Sequence, residues 1–298
     1  MTDAATLAGR TALRGIVGMV HVGALPGTPR AHQAPRALVE HAVREARALR
    51  EAGFDAILIE NMHDRPYLGG GIGAEITACM SAVSAAVRAA VEMPIGIQIL
   101  GGGSREALAV AHATGLDFVR AENFVFAHVA DEGLMTEASA GPLLRFRKSI
   151  GADRVAIFAD IKKKHAAHAI TADVDIAGCA RAAEFFLADG VIVTGTETGA
   201  AVDERELSAV RGATKLPVMT GSGADATSVA RLLSMADAVI VGSFVKEGGR
   251  WENQVCPQRA AEFAQAARRG PGGAAGARPT DAPGMDAVRA VMAGTVRA

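Results

Sequence analysis

Residues 216–243 read "LPVMTGSGADATSVARLLSMADAVIVGS" and contain one complete structural unit of this chain. A short apolar run at 216–221 is followed by a helical pattern at 224–236 and by a second β-branched run at 238–242. Strands that are apolar on both faces pair in parallel, with a right-handed helical crossover between them. The stretch therefore predicts a strand–helix–strand unit that belongs to a larger parallel sheet.

The same alternation extends over nearly the whole chain. Six further β-branched runs come earlier, at 15–20, 55–60, 94–100, 117–122, 154–160 and 191–195. The other helical patterns lie at 35–53, 74–92, 104–115, 137–150, 174–189, 203–213 and 257–268. Eight strands, each followed by a helix, are the count of a closed (β/α)8 barrel. An open doubly wound sheet is the alternative, but no GxGxxG follows the first strand, so the sequence favours an α/β fold of the TIM-barrel type.

The predicted barrel is a single domain over residues 15–269, preceded by an N-terminal segment at 1–14. Beyond it, "GPGGAAGARPTDAP" (270–283) is rich in glycine, alanine and proline and has no hydrophobic periodicity. Such a composition is typical of a flexible linker. Residues 270–298 are therefore predicted to be a linker and a short C-terminal tail.

The composition excludes several classes of function. Among 298 residues, 31 are basic and 32 acidic, so bulk charge gives no attraction to nucleic acid or to an anionic membrane. Cys79, Cys179 and Cys256 show neither a disulfide framework nor zinc-ligand spacing. No secretory signal and no apolar run long enough to span a membrane is visible. We expect a cytoplasmic protein whose apolar helix faces favour a homo-oligomer.

In barrels of this kind, the active site lies at the C-terminal ends of the strands. Polar and ionisable residues collect at these positions in the sequence. The candidate catalytic residues are His21, Glu60, Glu122, Asp160, Lys162, Lys164 and His165. The further candidates for the rim are Asn61, Gln98 and Arg120. The alternative is an ordinary polar rim, in which Glu60 and Asn61 end a strand and Arg120 pairs with Glu122.

The stretch "FADIKKKH" (158–165) follows the fifth predicted strand directly. Strand alternation puts Asp160 and Lys162 on the same side, and Lys164 with them if the strand continues. Burial lowers the pKa of a lysine, which can then act as a base or form an imine. His165 adds a group that titrates near neutral pH. The alternative is a solvated loop with scattered charges.

Glycines close the last three predicted strands, in "VTGTETGA" (193–200), "MTGSGADATS" (219–228) and "IVGSFVKEGG" (240–249). Small residues there let backbone N–H groups approach a ligand, and "GADATS" is expected to open a helix whose N-terminus favours an anion. The predicted phosphate-binding residues are Gly195, Gly199, Gly221, Ser222, Gly223, Gly242 and Ser243. The alternative is a set of simple turn glycines.

These motifs together resemble the BtpA/SgcQ family. The similarity runs from about residue 15 to 268 and includes "GIVGMVHVGALPGTPR" (15–30), "IFADIKKKHA" (157–166) and "GSFVKEGGRWENQV" (242–255). "QILGGGS" (98–104) and "RAENF" (120–124) differ from the cyanobacterial members, so the chain is similar to the non-cyanobacterial branch. The resemblance implies a phosphate-binding barrel. It also adds Asp131 to the rim and supports His21, Glu60, Asn61, Asp160, Lys164, His165 and the strand-end glycines.

Two functions follow as expectations. The first is an enzyme that acts on a phosphorylated sugar or nucleotide-like compound by general acid–base chemistry, as an isomerase, a lyase or a glycosyl-bond hydrolase. The second, implied by the cyanobacterial members, is a non-catalytic biogenesis factor of the photosystem I type. A divalent metal at Glu60 and Asp160 is compatible with their chemistry, but no ligand spacing supports it, and no other cofactor is indicated. Asp160, Lys162 and His165 also resemble the D-x-K-x-x-D motif of the orotidine-phosphate decarboxylase superfamily, with histidine replacing the second aspartate.

Overall fold

A computed structural model describes residues 13–195 and 197–270. The predicted segment 1–14 and the predicted tail 270–298 therefore lie outside the described residues, apart from positions 13, 14 and 270. Within the described residues, no helix is long and apolar enough to cross a membrane.

The described chain forms a closed parallel barrel surrounded by helices. The strands are β1 (Gly15–His21), β2 (Ala56–Glu60), β3 (Ile95–Gln98), β4 (Phe118–Ala121), β5 (His128–Ala130), β6 (Gly133–Met135), β7 (Ala156–Ile161), β8 (Ala166–Ala167), β9 (Gly190–Val193), β10 (Val218–Thr220) and β11 (Ala238–Val241). The helices are α1 (Pro35–Ala52), α2 (Ala74–Ala90), α3 (Ser104–Thr114), α4 (Ala140–Ser149), α5 (Ile176–Phe185), α6 (Glu204–Ala213), α7 (Val229–Met235) and α8 (Pro257–Arg268). Around the barrel the order is β1, β2, β3, β4, β7, β9, β10, β11 and back to β1. The predicted TIM barrel is thus confirmed.

The structure also contains a small antiparallel sheet that the sequence analysis did not predict. β5 pairs with β6 in the loop that follows β4, and β8, just after β7, pairs with β5 on its other side. These strands are two or three residues long, too short to leave a period-two pattern in the sequence.

One helix begins later than its pattern predicted. The helical pattern at 224–236 gives a helix only from Val229. The carboxylate of Asp225 accepts hydrogen bonds from the backbone N–H groups of Thr227 and Ser228, each at 2.9 Å. The Asp225 carboxylate thus already accepts hydrogen bonds from the N–H groups of Thr227 and Ser228. The prediction that "GADATS" begins a helix whose first N–H groups bind an anion is therefore wrong.

Two phenylalanines, each packed against a glycine, belong to the cluster of side chains that fills the barrel interior. The rings of Phe118 on β4 and Phe158 on β7 meet edge to face, with their centroids 5.5 Å apart. An added Cβ at Gly96 would lie 2.1 Å from the Phe118 ring, and one at Gly190 would lie 2.5 Å from the Phe158 ring. The glycines thus provide the volume that the rings occupy, and the barrel is a packed core.

Four aspartates fix the strands at the opposite, N-terminal end of the barrel. Each precedes a strand, and its carboxylate accepts a hydrogen bond from a backbone N–H at the start of the neighbouring strand. The pairs are Asp55 with Ile16 (2.8 Å), Asp117 with Ile95 (2.9 Å), Asp189 with Ile157 (2.8 Å) and Asp237 with Val218 (3.0 Å). The backbone N–H of each aspartate donates in turn to the carbonyl of the same partner residue. These reciprocal contacts, which we call the aspartate clamps, set the register of four strand pairs.

A buried ion pair joins α1, the first helix, to the segment that precedes α8, the last helix. Lys246, which is fully buried, donates to Oε2 of Glu45 on α1 at 2.7 Å. The other oxygen of Glu45 accepts the backbone N–H of Val255, just before α8, at 2.8 Å. Burial lowers the pKa of Lys246, while the Glu45 carboxylate favours its charged form. The pair thereby ties α1 to the segment between β11 and α8.

We predict that Asp189→Ala lowers the free energy of unfolding by about 3–5 kcal/mol. The substitution removes the carboxylate that binds Arg147 at 2.6 Å, and both side chains are more than nine-tenths buried, so the guanidinium is left without its counter-ion. Urea unfolding monitored by circular dichroism measures the change. Glu40→Ala is the control, because it removes only the exposed pair with Arg36 on α1 and should cost at most about 0.5 kcal/mol. Equal losses for the two variants would contradict the role of the clamp.

Candidate active site

The mouth of the barrel is formed by one inward-facing residue from each barrel strand. Side chains alternate along a strand, so the residue two positions after the last core residue that faces into the barrel also faces inwards. In barrel order these residues are His21, Glu60, Gln98, Arg120, Asp160, Thr194, Gly221 and Gly242. Six neighbouring strands thus present polar side chains, and the two remaining neighbours, β10 and β11, present none.

A buried ion pair crosses the polar part of the mouth. Nε of Arg120 donates to both carboxylate oxygens of Asp160, at 3.1 and 3.0 Å. The alternative pairing of Arg120 with Glu122, considered from the sequence, is wrong. Among the described hydrogen bonds of Arg120, Nε is the donor, so the two terminal nitrogens remain available to the cavity. The Asp160 and Glu60 carboxylates hold the pKa of Arg120 above its ordinary value, so its charge is permanent, although burial opposes it.

His21 and Glu60 form an acid–base pair beside it. Nδ1 of His21 lies 2.9 Å from the carbonyl oxygen of Trp251, so this nitrogen must carry the proton. Nε2 is then the lone-pair nitrogen, and it lies 3.7 Å from Oε2 of Glu60. Burial lowers the pKa of His21 well below its ordinary value and raises the pKa of Glu60. Both shifts favour the neutral forms, so the pair combines a neutral base with a carboxyl group that holds a proton more readily.

The three lysines after β7 point to three different places. β7 ends at Ile161, and Lys162 has a left-handed backbone with φ 46°. Lys162 therefore does not continue the alternation; it borders a separate small cavity next to Cys179. Lys163 is buried and pairs with Glu122 at 3.2 Å and with Glu132 at 3.7 Å. The prediction that strand alternation puts Lys162 on the same face as Asp160 is therefore wrong, and the D-x-K-x-x-D comparison that rests on it is not supported.

Lys164 is the lysine that reaches the mouth. Its backbone N–H donates to Oγ1 of Thr194 at 3.1 Å, which holds the turn against β9. Among the described residues, no carboxylate lies within ion-pairing distance of its ammonium group. Burial and the nearby Arg120 lower the pKa of Lys164, while Glu60 and Asp160 partly oppose this. Lys164 is thus a cation or an amine that remains available to a ligand.

At β10 and β11, whose mouth positions are Gly221 and Gly242, the mouth opens into a cavity of about 240 Å³, which we call the glycine lobe. An added Cβ at Gly242 would lie 3.2 Å from Cε1 of His21, and one at Gly221 would lie 3.4 Å from Nη2 of Arg120. Side chains at these two positions would therefore fill the space next to the ionisable groups. Gly199, Ser222, Gly223 and Ser243 complete this wall of the lobe.

The wall of the glycine lobe offers hydrogen-bond donors. Among the hydrogen bonds of the described residues, none is donated by the backbone N–H groups of Gly223, Gly242 or Ser243. Arg259, at the start of α8, adds a guanidinium that donates Nε to the carbonyl of Phe244 at 2.6 Å. Ser222, in contrast, uses its hydroxyl to donate to the carbonyl of Glu197 at 3.1 Å.

Two predicted glycines have a packing role. An added Cβ at Gly195 would lie 2.3 Å from the carbonyl oxygen of Ala200, and one at Gly223 would lie 2.2 Å from the same atom. Gly223 also has a left-handed φ of 66°. These glycines allow two loops to touch. Gly195 does not line the lobe, whereas Gly223 does.

A second lobe of about 280 Å³ continues from the first, which we call the aromatic lobe. The two lobes share Glu60, Arg120 and Lys164 as lining residues. The aromatic lobe also contains Tyr67 and Trp251, which are the single tyrosine and the single tryptophan of the chain. The chemistry-bearing groups thus stand between two connected compartments.

The remaining predicted residues take distinct positions around the aromatic lobe. Gln98 lines it and is almost fully buried, and its Oε1 has no hydrogen-bond donor in the described structure. Asp131 and His165 lie at the exposed edge, 3.7 Å apart, and His165 also contacts Oγ1 of Thr198 at 2.9 Å. Asn61 holds the backbone of Leu100 through both ends of its amide and thereby joins the loops after β2 and β3.

The geometry gives no support for a metal at Glu60 and Asp160. No group of three or more His, Cys, Asp or Glu side chains suited to a metal ion occurs in the described part of the chain. The Asp160 carboxylate is, in addition, engaged by Arg120.

Among the cavity-lining residues that sequence reasoning missed are Arg65, Lys163, Trp251 and Arg259. Arg259 lies at the start of α8, and the sequence pattern of this helix is that of an ordinary outer helix of the barrel. The other three residues lie in loops without a periodic pattern. The single tryptophan was a usable signal, because a lone aromatic in a glycine-rich strand-end loop is seldom needed for packing.

Solved structures resemble the chain in fold. A thiamine phosphate pyrophosphorylase from Pyrococcus furiosus has a TM-score of 0.52 at 14% identity, covering 86% of this chain and 95% of that one. A tryptophan synthase from Mycobacterium tuberculosis has a TM-score of 0.55 at 16% identity, covering 89% and 97%. At such identities the similarity shows the barrel fold alone.

Sequence relatives are much more similar. An uncharacterized mitochondrial protein of Caenorhabditis elegans is 44% identical over 253 residues, which are 83% of this chain and 91% of the relative. The photosystem I biogenesis protein BtpA of Synechocystis is 33% identical over 256 residues, covering 86% and 88%. The model of the BtpA family matches residues 12–269. The chain therefore belongs to the BtpA family.

Proposed function

We propose that the chain is an enzyme that binds a small phosphorylated compound, a sugar phosphate or a nucleotide-like phosphate, and acts on it by general acid–base catalysis. One observation carries the proposal: a glycine-rich wall and a cluster of buried ionisable groups line the same cavity. Two of the similar barrels, a hexulose phosphate synthase and a phosphoribosylanthranilate isomerase, are named for phosphorylated compounds, in agreement with this proposal.

The phosphate would occupy the glycine lobe. The free backbone N–H groups of Gly223, Gly242 and Ser243 supply neutral donors, and the glycines let an anion approach the backbone closely. Arg259 at one side and Arg120 at the other supply positive charge. Charge-assisted hydrogen bonds of this kind are stronger than neutral ones, and they fix the orientation of the bound group.

The reacting atoms would then lie over Glu60 and His21. Nε2 of His21 can accept a proton from a substrate carbon or hydroxyl, because Nδ1 is held by the carbonyl of Trp251. Glu60 can donate a proton at the adjacent position, since burial raises its pKa. Lys164, the third group at the junction of the lobes, stabilises negative charge that develops during the transfer. An isomerisation, a carbon–carbon cleavage and a glycosyl-bond hydrolysis all use this set of groups.

The second candidate is a non-catalytic biogenesis factor, which the name of the Synechocystis relative favours. Relatives in a nematode and in the archaeon Archaeoglobus fulgidus argue that a photosystem role is not general to the family. The density of buried ionisable groups at the mouth also favours an enzyme, because a binding factor does not need them. A cytoplasmic location, a homo-oligomeric state and the absence of nucleic acid among the partners stay predictions.

We predict that Gly242→Val weakens binding of glycerol 3-phosphate and of inorganic phosphate by about tenfold or more, a loss of ~1.4 kcal/mol or more. The new side chain would stand in the glycine lobe next to His21, at a position whose φ of −116° other residues can adopt. Isothermal titration calorimetry measures the affinities.

Gly212→Val is the matched control for this experiment. Gly212 lies in α6, where an added Cβ meets nothing within 4 Å, so the same substitution there should leave both affinities unchanged. Gly223→Trp would be a poorer test, because its clash with Ala200 would disturb the loops whatever the ligand does. Unchanged affinity in Gly242→Val would rule out the glycine lobe as the phosphate site.

We further predict that the affinity for glycerol 3-phosphate falls with rising pH, and that the fall lies below the ordinary lysine pKa of 10.5. Burial and the nearby Arg120 lower the pKa of Lys164, so its ammonium group loses its proton, and with it the attraction to the phosphate, at a lower pH than an ordinary lysine. Lys164→Gln should bind more weakly than wild type on the acidic side of the fall and should show no such fall, because it has no proton to lose there. A wild-type affinity that stays constant up to pH 10.5 would refute the involvement of Lys164.

A further inference from the structure

Two arginines stand at opposite ends of the cavity, each stacked on an aromatic ring. Arg259 lines the glycine lobe, and its Cζ lies 4.4 Å from the centroid of the Phe244 ring. Arg65 lines the aromatic lobe, and its Cζ lies 4.5 Å from the centroid of the Trp251 ring. Stacking fixes the plane of a guanidinium and leaves its in-plane N–H groups free to bind an oxyanion.

Arg65 has no anionic partner among the residues that the structure describes. Among the described ion pairs, none includes Arg65, and its Nε is buried without a hydrogen-bond acceptor. Desolvating a guanidinium N–H group without an acceptor costs free energy, so a protein keeps this arrangement when a ligand supplies the acceptor. Arg259 is also stacked and has no carboxylate partner among the described ion pairs, but its Nε is satisfied by the carbonyl of Phe244, whereas Nε of Arg65 has no acceptor.

A third stacked arginine shows what distinguishes Arg65. Arg105 on α3 lies over the Phe146 ring at 4.2 Å. That side chain is exposed and lines neither lobe, so water satisfies its N–H groups. Arg65 is instead enclosed in a cavity that continues to the proposed phosphate site.

The unpaired cations of the aromatic lobe favour an anionic ligand. Lys163 contacts both Glu122 and Glu132 and offsets one of their two negative charges, and Asp131 lies at the exposed edge beside His165. Lys164 and Arg65 are the cations of this lobe that lack an ion-pair partner among the described residues. A second negative group on the ligand would complete these charges.

We propose that the substrate carries two anionic groups, a phosphate in the glycine lobe and a second oxyanion, a carboxylate or another phosphate, bound by Arg65 in the aromatic lobe. The inference rests on the proposed function, since it extends the same ligand into the second lobe. The carbon chain between the two groups then passes over His21, Glu60 and Lys164, where proton transfer takes place.

The test compares ligands that differ only in the second anionic group. Glycerol 3-phosphate and sorbitol 6-phosphate carry one such group, 3-phosphoglycerate and 6-phosphogluconate add a carboxylate, and glycerol 1,3-bisphosphate and sorbitol 1,6-bisphosphate add a phosphate. Affinities are measured by calorimetry and by the fluorescence of Trp251, the single tryptophan, on which Arg65 is stacked. The proteins are wild type, Arg65→Met and Arg259→Met, with Arg105→Met as the control for the loss of a stacked arginine.

We expect at least one two-anion ligand to bind wild type tenfold or more tighter than its one-anion counterpart. Arg65→Met should remove this gain and leave the one-anion affinities unchanged, Arg259→Met should weaken all ligands, and Arg105→Met should change nothing. The class that shows the gain identifies the second group as a carboxylate or a phosphate. A wild type without any gain, or a gain that survives in Arg65→Met, overturns the inference while one-anion binding still upholds the proposed function. If no phosphorylated ligand binds at all, both fail together.

Discussion

The candidate site depends on the register of the barrel strands, and the aspartate clamps at the opposite end fix that register. Asp55, Asp117, Asp189 and Asp237 each bind both backbone groups of a residue that starts the neighbouring strand. A slip of one residue would turn every inward side chain of a strand outwards. The Asp55 clamp between β1 and β2 thus secures, from the opposite end of the barrel, the register in which His21 pairs with Glu60.

Within the mouth, the Arg120–Asp160 ion pair fixes the position of a buried positive charge, as the aspartate clamps fix the strands. An unpaired guanidinium at this depth would be strongly unfavourable, and the carboxylate compensates it through Nε alone. The Nη2 group therefore lies beside Gly221 before any ligand arrives. Such preorganisation is what makes a charged group effective in binding and in catalysis, because it does not have to reorient during the reaction.

The sequence predicted the barrel well because buried parallel strands and their helices leave strong periodic signals. It also placed His21, Glu60, Gln98 and Arg120 at the mouth, since alternation along a strand is reliable while the strand lasts. It failed where the strand ended: Lys162 turns away through a left-handed backbone, and no pattern distinguishes it from Lys164. Pairing partners such as Lys163 for Glu122, and loop residues such as Arg65 and Trp251, depend on contacts between distant segments that one sequence does not encode locally.

The distribution of buried charge also bears on whether the barrel is more than a scaffold. Burial raises the pKa of Glu60 and lowers the pKa of His21 and Lys164, so all three are held against their preference for the charged form. A raised carboxyl pKa means that the folded state binds a proton more readily than the unfolded chain. At a pH above the pKa of Glu60 in the folded state, Glu60 therefore lowers the free energy of unfolding. Apolar residues at these positions would give a more stable barrel. The chain nevertheless keeps these three groups next to the glycine lobe. Buried ionisable groups that lower the stability of the fold are expected at a site where they serve a chemical function.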